Sequence, residues 1–79
     1  MNIDTLREFI QNEILNDPAF VIEDEQDLLL SETLNSLSVT LLMAHIETTC
    51  NVTIPPEDVT LENFSTLRSI EAYIRSISA

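Results

Sequence analysis

No residue of this chain is glycine. Glycine takes positive φ without steric cost, and two-residue hairpin turns depend on it, often as Asn-Gly or Asp-Gly. A chain without it lacks the signals for tight β-hairpins. Three prolines remain as breakers, so helices joined by polar or proline-containing connections are the natural solution. Residues 1–79 are expected to form one domain, near the size at which a single core supplies only a few kcal/mol. A hydrophobic content of 44% is ample for packing and argues against disorder.

Apolar periodicity places the helices. Ile3, Leu6, Phe9, Ile10 and Ile14 fall on one stripe, interrupted by Glu13, which is expected to be exposed near the helix end. Asn2 or Asp4 can serve the first N–H groups, and Asp17-Pro18 is expected to end the helix, because proline pushes its predecessor out of the α region. Residues 18 to 35 form a long connection that Phe20, Ile22, Leu28, Leu30 and Leu34 are expected to pin to the core. A second helix runs from about Ser36 to Cys50. At about 100° per residue its Val39, Leu42, Met43, Ile46 and Cys50 share one arc, while Leu37, Leu41, Ala44 and Thr48 gather opposite, toward water. Ile54 tucks inward from the following loop. Thr60 to Phe64 reads as a short helical turn, and a last helix capped by Ser65 or Thr66 buries Leu67, Ile70, Tyr73, Ile74 and Ile77.

Charge narrows the function. Fourteen acidic residues face three arginines and no lysine, for a formal net charge of -11. Nucleic acid and anionic membrane would be repelled. The charge either speeds encounter with basic partners or keeps the protein soluble, and composition does not separate the two. No apolar run reaches the roughly 18 residues of a membrane span, and the N-terminus lacks the pattern of a signal peptide. The single cysteine excludes an internal disulfide. A cytoplasmic monomer is the expectation.

Few residues invite chemistry. His45 lies off the core arc and reads as solvent-facing. With Cys50 it is alone among the soft ligands, so no metal site is expected. Cys50 reads as a small apolar residue, and the run Glu23 to Asp27 as a solvated loop. No Gly-x-Ser-x-Gly elbow supports Ser-His-Asp catalysis, so no catalytic residue is assigned. Ser36 stands out by position. It follows the acidic loop and opens a helix, where unpaired N–H groups and partial positive charge can hold a phosphate esterified to its hydroxyl. An ordinary helix start would look the same, with Asn35 or Ser36 as cap. Leu37 and Leu41 beside it are either isolated surface leucines or a docking patch.

Beyond the tetrad Leu34-Asn35-Ser36-Leu37, the chain carries Leu41-Leu42-Met43-Ala44-His45-Ile46-Glu47, then Ile54-Pro55, then Phe64-Ser65-Thr66-Leu67 leading to Tyr73-Ile74. In this order and spacing it resembles the acyl carrier protein family, including peptidyl, aminoacyl and D-alanyl carriers, along essentially its whole length. The resemblance implies an all-α four-helix bundle with a long loop between helices 1 and 2 and a short third helix. It implies that a phosphopantetheinyl transferase moves a 4′-phosphopantetheine arm from coenzyme A onto Ser36, and that the arm holds an acyl or aminoacyl group as a thioester. Partners would be that transferase, a loading enzyme, and a downstream acyltransferase or synthase, with docking at Asn35, Leu37, Leu41 and Ala44. An acidic helical interaction module of the same fold without an arm is the alternative.

Three departures from the family pattern bear on the pathway. Asn35 replaces the usual aspartate, the glycine often found just before it is absent, and the second helix has one charged residue, Glu47, where fatty-acid synthase carriers show several. The expectation is therefore a dedicated biosynthetic pathway rather than housekeeping fatty-acid synthesis.

Overall fold

The computed structural model describes residues 1–78; Ala79, the last residue of the expected domain, lies outside the described residues. The described residues form four α-helices: α1 (Ile3–Phe9), α2 (Ser36–Cys50), α3 (Leu61–Phe64) and α4 (Leu67–Ser78), with a 3₁₀ turn at Pro56–Asp58 before α3. Among the described residues there is no strand. The architecture is the expected all-α bundle with a long first loop and a short third helix.

Asn2 caps α1 in a reciprocal box: its Oδ1 accepts the Thr5 N–H at 2.9 Å, and the Thr5 hydroxyl oxygen accepts the Asn2 N–H at 3.1 Å. Beyond Phe9 the helix widens into a π-helical segment, Ile10–Ile14, where the Leu15 N–H reaches the Ile10 carbonyl at 2.8 Å. The wider turn brings the adjacent Ile14 and Leu15 both against the core and leaves Glu13 exposed. The helix does not wait for Asp17-Pro18. It stops at Ile14, and the chain turns away through Asn16, which adopts φ 52°. α2 ends the same way at Asn51, φ 56°, whose N–H bonds the Glu47 carbonyl. Asparagine pays less than other residues for this left-handed conformation, so in a glycine-free chain it takes over the helix-ending role of glycine.

The long loop is fastened at many points. Ile22, Leu28 and Leu34 are buried as expected. Phe20 and Leu30 are not pins: they are 39% and 83% exposed, and Leu29 packs against the core in place of Leu30. The Asp27 carboxylate explains this geometry, since its Oδ1 accepts the N–H groups of both Leu29 (3.0 Å) and Leu30 (2.8 Å) and turns the chain there. Nor is the acidic run simply a solvated loop. Asp24 binds Arg7 of α1 and Arg68 of α4, and Glu25 binds Arg68 at 3.3 Å. The Arg7 Nε–H also donates to the Ile22 carbonyl at 2.9 Å, and the Leu28 N–H to the Ser65 carbonyl at 2.6 Å. Two of the three arginines thus strap the loop across α1 and α4.

The core joins Leu6 and Ile10, the three loop residues, Val39, Leu42 and Ile46 of α2, Ile54, Phe64, and Leu67, Ile70, Tyr73 and Ile74 of α4. Met43, Cys50 and Ile77 pack at its edge, half-buried. Thr66 caps α4, accepting the Ser69 N–H at 3.0 Å. No described helix is long and apolar enough to cross a membrane.

Candidate functional site

Ser36 is the first residue of α2, and Asn35 is the cap. The Asn35 Oδ1 accepts the Ser38 N–H at 2.9 Å, and its carbonyl accepts the Val39 N–H at 2.9 Å. Capping by Asn35 leaves the Ser36 hydroxyl out of the cap, on an exposed residue. With Ser38 and Val39 served, the N–H groups of Ser36 and Leu37 are the ones left at the helix mouth for an anion beside the hydroxyl. The first turn of α2 contains no carboxylate that would oppose a phosphate. The Ser36 carbonyl accepts the Thr40 hydroxyl at 3.0 Å, which firms the first turn.

An open groove of about 850 Å³ begins at this serine. One wall is α2, through Ser36, Val39, Thr40 and Met43; the other is Val59, Thr60, Leu61 and Phe64; loop residues Leu29, Glu32 and Leu34 close the end. Glu32 is the one charged residue lining it, and it holds φ 60°, a left-handed conformation that costs a glutamate on the order of 1 kcal/mol. The residue sits four positions before Ser36, so the strain lies at the site. Nothing in the sequence pattern marks Glu32, because a positive φ at a non-glycine, non-asparagine residue has no local signal.

The far wall is held in place by a link that sequence reasoning also missed. The Tyr73 hydroxyl of α4 donates to the Asp58 carboxylate at 2.6 Å, while the Asp58 carbonyl accepts the Asn63 side-chain N–H at 2.8 Å. Burial, then the hydrogen bond to Asp58 and the nearby carboxylate charges, pushes the tyrosine pKa up to about 12.

Asn35, Leu37, Leu41 and Ala44 are all exposed, with Leu37 at 69% and Leu41 at 48%. Leu37, Leu41 and Ala44 face away from the core arc of α2, whereas Asn35 is the helix cap and lines the groove. His45 is a correction: it is half-buried, with its ring stacked on Phe9 at a centroid distance of 3.9 Å and an interplanar angle of 12°. The stripe of α1 reaches α2 through that contact, which is why a histidine just off the core arc still finds cover. Glu47 is half-buried too, and its Oε2 accepts the Ile54 N–H at 2.8 Å.

Residues 4–74 match the family described as "Phosphopantetheine attachment site". The chain is also similar to one in a solved structure described as "Crystal structure of FAD-dependent dehydrogenase", at 33% identity and a TM-score of 0.80, over 87% of this chain and 97% of that one. No curated protein matches it.

Proposed function

This chain belongs to the phosphopantetheine attachment site family, and from that premise we propose that Ser36 bears the arm and that the protein presents its cargo to a dedicated set of biosynthetic enzymes. The family's cofactor is 4′-phosphopantetheine, covalently attached, and such carriers are in general non-catalytic and modified by a phosphopantetheinyl transferase. When bound, the arm supplies a terminal thiol that holds an acyl or aminoacyl group as a thioester. The chain's own part is position: Ser36 offers the hydroxyl, the Ser36 and Leu37 N–H groups face the phosphate, and the bundle fixes the helix mouth. The transferase brings base and metal, so no activating side chain is needed here.

The observation that carries this reading is an exposed serine at the first position of a helix capped by its neighbour, inside the matched span. Asn35, Leu37, Leu41 and Ala44 form the docking patch in this reading. The near-absence of charge on α2 favours a dedicated pathway over housekeeping fatty-acid synthesis. The similarity to a chain in the dehydrogenase structure favours an FAD-dependent dehydrogenase as one client enzyme. The flavin would belong to that client: this chain has no glycine turn with which to grip a dinucleotide, and its described residues form no strand. Incubation with coenzyme A and a broad-specificity transferase, followed by intact-mass measurement, is the test. The protein gains one phosphopantetheine; an armless interaction module would keep its mass.

A further inference from the structure

The groove that begins at Ser36 is less apolar than the names along it suggest. Leu34, Val39 and Phe64 line it, yet all three are buried in the core. Of the exposed residues that line it, Glu32, Asn35, Ser36, Thr40 and Thr60 are polar, and Leu61 is the apolar exception. Glu32 is the odd one among them. Arg7 and Arg68 are engaged with Asp24, and Arg75 with Glu71, so the chain's own cations are committed elsewhere. Among the described residues no side chain pairs with the Glu32 carboxylate; the hydrogen bond at this residue runs from its backbone N–H to the Leu29 carbonyl. Its backbone is unusual as well. The other two residues with positive φ, Asn16 and Asn51, are asparagines, which tolerate that conformation. Asparagine would hold the same backbone at lower cost, so the glutamate side chain itself calls for an explanation. Strain of this kind gathers where a ligand is held.

We propose that the Glu32 carboxylate receives the ammonium group of an aminoacyl cargo folded back along the groove, which makes Glu32 a residue that selects the cargo. The inference rests on the carrier reading and narrows its cargo to the aminoacyl class. A carboxylate in a groove sorts cargo by charge. A cationic group is attracted, an anionic one is repelled, and an alkyl chain strips water from the carboxylate with no hydrogen bond in return. The exposed Thr40 and Thr60 hydroxyls favour a short polar group over a long alkyl chain for the same reason. An ion pair at an exposed site is weak between free molecules. Cargo on an arm from Ser36 is not free: the tether supplies an effective concentration on the order of millimolar, so a weak contact is enough to bias its position.

The test loads the apo-protein with alanyl or isobutyryl arms, using a broad-specificity transferase and the matching coenzyme A thioesters. The two cargoes share a shape, with an ammonium in one where the other has a methyl. Loading is followed by intact mass, and cargo position by the backbone amide shifts of nitrogen-labelled protein. At about pH 6.5, below the ordinary value of roughly 8 for an α-amino group, the alanyl cargo is charged. Relative to the holo-protein without cargo, the alanyl form is expected to shift the amides of Glu32, Thr40 and Thr60 at least about threefold more than the isobutyryl form, and about 1 M salt to suppress that difference. Glu32→Gln keeps the side-chain length and is expected to bring the alanyl shifts down to the isobutyryl level. Its melting temperature should hold, because the residue is exposed. Equal shifts from the two cargoes, or an alanyl difference that survives in Glu32→Gln, would overturn the inference. So would a Glu32→Gln protein in which the rate of arm transfer alone changes, which would make Glu32 an enzyme contact. Absence of any mass gain with either thioester would instead sink the carrier reading, and this inference with it.

Discussion

Asn35 has two duties that a single atom swap can separate. Its Oδ1 caps α2 at Ser38, and its neutrality sets the charge beside Ser36, the proposed attachment residue. Asn35→Asp keeps the cap and is expected to shift stability by less than about 0.5 kcal/mol in urea melts, since the two residues cap helices equally well. The same change restores a carboxylate next to Ser36 and is expected to alter the modification rate; equal rates across several transferases would show that Asn35 has no part in recognition. Leu41 and Leu42, neighbours in sequence, make the corresponding comparison for packing. Leu41 is 48% exposed and Leu42 is fully buried. Leu41→Glu is expected to cost within about 0.5 kcal/mol and Leu42→Ala about 2–5 kcal/mol; a large loss from Leu41→Glu in thermal melts would remove that residue from the proposed docking patch. This division was legible from helical spacing alone, because α2 is long and regular. His45 was not, because its cover comes from Phe9, distant in sequence, and no periodicity within α2 reports a partner on α1.

At the scale of elements, α2 was legible end to end because Asn35 and Asn51 bracket an unbroken apolar arc. The end of α1 was not, because the π-helical segment shifts the register that a 3.6-residue count assumes. The long loop was legible as ordered, but its fastening was not, since Asp24 meets Arg7 and Arg68 only after the helices are packed. Asp24→Asn removes both ion pairs from a half-exposed site that water still screens, so the expected loss is about 1 kcal/mol at low salt and less at high salt. A loss that does not shrink as salt rises would show that hydrogen-bond geometry, not charge, holds the loop. The link between α4 and the 3₁₀ turn has its own signature in pH. Tyr73 holds its proton to about pH 12 in the folded chain against 10.0 as the ordinary value. Between those values the unfolded chain releases a proton that the folded chain keeps, so stability is intact below pH 10 and falls as pH rises through the window. Denaturant melts across that range are expected to show the slope in the unaltered protein and a reduced slope in Tyr73→Phe. Equal slopes would mean that Tyr73, held protonated by burial and then by the Asp58 hydrogen bond, is not the group behind the pH dependence.

At the scale of the whole molecule, the bundle places the Ser36 hydroxyl at a helix mouth, with an open groove beside it and an uncharged first turn of α2 behind it. The carrier architecture was legible in the order of four short sequence marks. The groove was not, because its far wall depends on where the Asp58 to Tyr73 link sets α3. The cap, the groove and the carboxylate-free first turn of α2 all meet at Ser36. The most direct measurement is therefore intact-mass analysis of the unaltered protein and of Ser36→Ala after incubation with coenzyme A and a broad-specificity transferase. The unaltered protein is expected to gain one phosphopantetheine, recovered by fragmentation on the peptide containing Ser36, and Ser36→Ala to gain none while keeping its helical signal and melting temperature. An arm found on the folded Ser36→Ala protein, or no arm on either, would contradict it.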